Sequence, residues 1–153
     1  MNVQILSEAA AKQMLTENAF PAHTAVICFT DPEDTPIDYA SVTDRVFRVD
    51  VPDVSMDDLT DCKYTHDDFA DAMRADDLAQ FILDAQHDGY NFICQCAYGE
   101  SRSAAAAAAI RELFAHDGIV VFADYRYCPN QLVFNLLYDA LKSKTGGERE
   151  CQN

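Results

Sequence analysis

Asn91-Phe92-Ile93-Cys94-Gln95-Cys96-Ala97-Tyr98-Gly99-Glu100-Ser101-Arg102-Ser103, followed without a break by the alanines Ala104 to Ala109, is the stretch that decides the fold. Its first half is a short apolar run, suited to a buried strand that leads into Cys96. Its end is the strongest helix former available, a block of alanines. The spacing predicts a helix from Ser103 to Ala115, with Ile110, Leu113 and Phe114 on one side and Asp117-Gly118 as its stop. Between strand and helix lies a tight loop of small residues around Gly99. A strand, a short loop and a helix in that order form one limb of an α/β layer.

The rest of the chain repeats the alternation. Val3 to Leu6 reads as a strand, and Ser7 can cap a helix from Glu8 to Leu15. Thr24 to Phe29 is a buried strand ended by Asp31-Pro32, and Val46 to Val51 is another, closed by Pro52. Thr65, with Asp68 three residues on, can start a helix. Phe69, Ala72 and Met73 share one face, while Leu78, Phe81, Ile82 and Ala85 share another, so two helices meet near Asp76. Gly89 stops the second. Pro129 opens a last helix with the stripe Leu132, Val133, Leu136, Leu137 and Leu141. Ile119 to Ala123 is compatible with a short strand or a buried turn. The expected architecture is α/β: a central, mostly parallel sheet flanked by helices. Residues 1–144 form one domain and 145–153 a flexible C-terminal tail.

The loop carries chemistry. Its backbone N–H groups can converge on one point, and the following helix adds about half a positive charge there. That is an anion site, with phosphate its usual guest. The Arg102 fork can grip two phosphoryl oxygens, and the same field favours a Cys96 thiolate. Ser103 can hydrogen-bond the sulfur and help it leave. A structural cysteine beside a capping arginine is the bland alternative, and the agreement of glycine, loop length and helix weighs against it.

At Cys96, Gly99 and Ser101-Arg102-Ser103 the sequence resembles the cysteine-dependent protein tyrosine and dual-specificity phosphatases, whose signature is Cys, five residues, Arg, then Ser or Thr. His23 to Ile27, Asp31-Pro32 and Pro129-Asn130 resemble the small bacterial and phage-type members. The resemblance implies a single protein tyrosine phosphatase-like domain and a metal-independent phosphomonoesterase with no cofactor. It would act through a cysteinyl-phosphate on phosphorylated protein or a small phosphomonoester. Cys96, Arg102 and Ser103 would be catalytic, with the phosphate held by Ala97, Tyr98, Gly99, Glu100, Ser101 and Arg102. The general acid should follow an earlier strand, and alignment points to Asp53, although Asp50, Asp57, Asp58, Asp61, Asp67 and Asp68 crowd the same stretch. One departure is Gln95, where the family usually has His. A phosphate- or phosphopeptide-binding module with little turnover is the alternative. Rhodanese-type sulfur transfer and the low-molecular-weight phosphatases fit less well, by loop composition and loop position.

Composition narrows the partners. The 153 residues carry 26 Asp and Glu against 11 Lys and Arg, a net charge of −15, and 49% are hydrophobic. That excludes global disorder, and it disfavours nucleic acid, anionic membranes and inositol phosphates as partners. The opening residues lack a basic region, and the apolar run Ala104 to Ile110 is too short to span a bilayer, so a cytoplasmic location is expected. Six cysteines then remain thiols, without spacing for zinc. Cys62 and Cys128 are possible redox partners of Cys96, although plain packing is the simpler role. Cys94 reads as core, Tyr98 as pocket rim, and Met14, Met56 and Met73 as filler.

Overall fold

A computed structural model of the chain describes residues 1–60 and 64–150. Among the described residues the strands β1 (Val3–Ser7), β2 (Thr24–Thr30), β3 (Val46–Asp50) and β4 (Asn91–Cys96) form one sheet in the order β1-β4-β2-β3. Every pairing is parallel. β4 is interior, between β1 and β2, and its residues from Phe92 onward are buried. This explains its near-continuous apolar sequence, since both faces of a parallel sheet are covered.

The helices are α1 (Glu8–Thr16), α2 (His66–Met73), α3 (Ala75–His87), α4 (Arg102–Ala115), α5 (Ile119–Ala123) and α6 (Gln131–Glu150). Ser7 caps α1 by accepting a hydrogen bond from the Ala10 amide, and Thr65 with Asp68 forms a reciprocal capping box on α2. One sheet face packs α1 and Tyr39 against Val26, Cys28 and Ile93. The other packs α2, α3, α4 and α6 against Ile27, Phe29, Phe92 and Cys94. α1 and α4 therefore leave adjacent strands toward opposite faces. The carboxyl ends of β1 and β4, where these helices diverge, are the usual ligand position in an open α/β sheet.

Several boundaries differ from the sequence reading. The helix break falls at Arg74, two residues before Asp76, because Arg74 takes the left-handed conformation (φ 47°) that ends α2 and begins α3. Its guanidinium bonds the Arg48 carbonyl and lies 4.6 Å over the Phe47 ring, which holds the kink in place. Ile119–Ala123 is a short helix, neither strand nor turn. Only Val121 of this run is buried, against Ala104 and Ala108, and the run pairs with no strand of the sheet. Pro129 stands ahead of the last helix, and Asn130 caps it by accepting from the Val133 amide. α6 runs on to Glu150, past the expected start of the tail at 145, with the Thr145 hydroxyl bonded back to the Leu141 carbonyl. Met56 is exposed rather than filler. The alanine block Ala104 to Ala109 is buried throughout. Small side chains let α4 sit close between the sheet and α6. Asp61, Cys62 and Cys151 lie outside the described residues.

Candidate active site

Cys96 ends β4 and is 2% exposed. Its Sγ lies 3.0 Å from the Ser103 Oγ. Burial pushes the thiol up, but the Ser103 hydroxyl and the amides of Ser103, Gly99 and Ser101 hydrogen-bond the sulfur. Together they bring it below its ordinary value. The loop amides thus converge on the sulfur, and α4 starts directly behind them. Buried Cys94 shows the contrast: with burial unopposed and Cys96 beside it, its thiol is pushed strongly up.

The loop is held from two sides. Gly99 has φ +69°, and a Cβ there would stand 2.5 Å from the Ser7 amide nitrogen, so the loop lies against the β1–α1 junction. The Glu8 amide donates to the Ala97 carbonyl at 3.1 Å. From the other side the Cys128 and Asn130 amides donate to the carbonyls of Glu100 and Ser101, at 2.9 and 3.2 Å. Tyr98 is 81% exposed at the rim, and Glu100 is exposed too. Cys128 is an exposed free thiol on this supporting segment.

Arg102 is 2% exposed. Its Nη1 donates to the Val51 carbonyl at 2.7 Å and to Asp31 Oδ1 at 3.1 Å, with Nη2 3.5 Å from Asp31 Oδ2. One edge of the guanidinium is thereby fixed. Its Nε, buried as well, has no hydrogen-bond partner among the described residues. A buried donor left unmatched is unfavourable by about 1–3 kcal/mol, so it is a reason to look for an acceptor. An anion in the cradle would supply one.

Asp53 reaches the same loop. Its Oδ1 accepts from the Ser101 hydroxyl at 2.8 Å and from Asn130 Nδ2 at 2.9 Å, while Asn130 Nδ2 also donates to the Val54 carbonyl. Asp58 and Asp68 serve instead as local caps, bonded to Ser55 and Thr65. Asp67 and Asp50 are exposed. Beside Asp53 a groove of about 430 Å³ runs between residues 53–58 and 128–132, lined by Asp53, Asp57 and Asp58 without a Lys or Arg. The structure thus brings Cys96, Ser103, Arg102 and Asp53 to one loop and the helix start behind it. It adds Asp31, Asn130 and Gln95, which the sequence reading did not assign. Asp31 was legible as the stop of β2 and in the family resemblance, not as a partner for Arg102, yet a carboxylate at the end of a strand next to β4 is where such a partner would be sought.

Among the described residues no three His, Cys, Asp or Glu side chains are grouped to hold a metal ion, and no helix is long and apolar enough to cross a membrane.

No family model and no curated protein sequence matches the chain. Solved structures do. Human DUSP28 superposes with a TM-score of 0.56 at 16% identity, over 95% of this chain and 94% of that one. PTPMT1 in complex with PI(5)P gives 0.53 at 17%, over 96% and 94%. A leucine-rich repeat and phosphatase domain protein from Entamoeba histolytica gives 0.51 at 12%, over 95% and 89%. The chain has the fold of the dual-specificity and protein tyrosine phosphatases over nearly its whole length.

Proposed function

We propose that the protein is a metal-independent phosphomonoester hydrolase of the tyrosine/dual-specificity type. The observation that carries this reading is the pairing of a thiol hydrogen-bonded by loop amides and Ser103 with the buried, unmatched Nε of Arg102. One group is a nucleophile held against the first turn of α4, and the other is an oxyanion donor within that turn.

The chemistry follows from these positions. A phosphate monoester settles on the loop amides and Arg102. The Cys96 thiolate attacks phosphorus, an S–P bond forms, and the ester P–O bond breaks as Asp53 gives its proton to the leaving oxygen. Water then attacks the cysteinyl-phosphate while Asp53 takes a proton from it. The S–P bond breaks, and the Ser103 hydroxyl stabilises the departing thiolate. Asn130 and Ser101 keep Asp53 at the rim, and Asp31 keeps Arg102 oriented.

Phosphotyrosine in protein is the favoured substrate, with phosphoserine and phosphothreonine as further candidates. One fold neighbour was solved with PI(5)P, but the groove here carries three aspartates, which repel a polyanionic headgroup. The reaction needs a reduced Cys96, consistent with a cytoplasmic location.

An aryl phosphate assay tests the reading. Hydrolysis should survive excess chelator and vanish in Cys96→Ser. Loss on chelation, restored by a divalent ion, would refute it. Phosphopeptide binding without phosphate release would make the protein a binding module instead.

A further inference from the structure

Directly behind the nucleophile, on the opposite face of β4, a buried polar side chain is held by three bonds. Gln95 is 3% exposed. Its Oε1 accepts from the Tyr39 hydroxyl at 2.9 Å and from the Cys28 thiol at 3.0 Å. Its Nε2 donates to the Cys96 carbonyl at 3.1 Å. Tyr39 is 1% exposed and 56 residues away in sequence, and Cys28 is 1% exposed on the neighbouring strand. Such a group is unfavourable to bury unless its bonds are made, and here both ends of the amide are used.

We propose that Gln95 is a positioning residue for the nucleophile: anchored by Tyr39 and Cys28, its amide fixes the Cys96 carbonyl and hence the first peptide of the phosphate loop. This rests on reading Cys96 as the nucleophile. The Cys96–Ala97 peptide sets the direction in which the loop leaves the strand. The amides of Gly99, Ser101 and Ser103 meet the sulfur only if that direction holds. The anchor is also insensitive to pH in the working range. An amide does not titrate, and burial pushes both the Cys28 thiol and the Tyr39 phenol up, so both remain donors. The other ionisable groups facing this cluster are Asp31 and Asp34 after β2, Arg48 and Asp50 on β3, and Glu8 on α1. None of them bonds the Gln95 amide.

The test compares Gln95→Met, of similar length but without donor or acceptor, and Tyr39→Phe, which removes one anchor. Ile93→Val loosens the same sheet face without touching a hydrogen bond and serves as control. The readout is the pH dependence of iodoacetamide alkylation at Cys96, followed by peptide mass spectrometry, alongside kcat/KM for an aryl phosphate and a melting curve. Gln95→Met should move the alkylation midpoint upward by about one pH unit, a roughly tenfold loss of thiolate well below the midpoint. Tyr39→Phe should shift it less, in the same direction, and Ile93→Val not at all. Folded Gln95→Met and Tyr39→Phe proteins with the wild-type midpoint and kcat/KM would overturn the inference. If Gln95→Met does not fold, Tyr39→Phe decides. A wild-type protein that hydrolyses no phosphate would sink the proposed function, while the alkylation comparison would still decide this one.

Discussion

Replacing Gly99 with alanine should cripple turnover while leaving the protein folded. At φ +69° an L side chain is strained, by about 1–2 kcal/mol. The contacts add to this. The new Cβ would lie 2.5 Å from the Ser7 nitrogen, 2.8 Å from the Leu6 carbonyl carbon and 3.0 Å from the Ser7 Cα, all backbone that cannot rotate away. Moving from 2.5 Å to the 3.4 Å where ordinary contact begins asks the loop to retreat by about 0.9 Å. A domain stable by about 5–15 kcal/mol survives such strain. Catalysis does not, because misplacing reacting groups by about 1 Å can lose about 100-fold in rate. Urea unfolding and aryl phosphate kinetics would be measured on Gly99→Ala beside Gly146→Ala. Gly146 lies in α6 with open space around it, so alanine there should raise stability by about 1 kcal/mol and leave kcat/KM alone. A Gly99→Ala enzyme with wild-type kcat/KM would refute the claim that loop placement against the β1–α1 junction sets activity.

Other outcomes follow from the same geometry. Asp53→Asn should lower kcat by about 100- to 10,000-fold, because an amide has no carboxyl proton to give the leaving oxygen. If Asp53→Asn is near wild type while Asp50→Asn or Asp57→Asn is crippled, the acid has been misassigned. Brief peroxide treatment should inactivate the protein by oxidising the Cys96 thiolate, with protection by vanadate and recovery in dithiothreitol; full activity after peroxide would mean an ordinary thiol. Added salt should raise kcat/KM for an acidic phosphopeptide, lower it for a basic one, and change a small aryl phosphate least, since charges are screened over about 10 Å at 0.1 M. A shared salt response for all three would remove the acidic groove from any account of substrate choice.

The strand, loop and helix around Cys96 were legible because their signals are local: an apolar run, one glycine and a block of alanines within 19 residues of one another. The groups that support the loop were not legible, because they come from far along the chain. Asp31 and Arg102 are 71 residues apart, and Asn130 and Asp53 are 77 apart. Nothing in the periodicity of either segment ties one to the other; the parallel register does. Gln95 stood out only as a departure from a family pattern, and its three bonds depend on Tyr39, which sits in an irregular segment without strand or helix signal. The helix at Ile119–Ala123 was hidden by its β-branched composition, since propensity cannot report that the sheet ends at β1. The kink at Arg74 needed a non-glycine residue in a left-handed conformation, which no sequence rule favours.

The most direct measurement is acid quenching of the protein during aryl phosphate turnover, followed by mass spectrometry of the Cys96 peptide. The account predicts phosphate bound to the Cys96 sulfur. It should accumulate further in Asp53→Asn with a substrate whose leaving group needs no proton, and be absent in Cys96→Ser. Phosphate release at full rate by Cys96→Ser, with no phosphorylated cysteine found in the wild type, would contradict it.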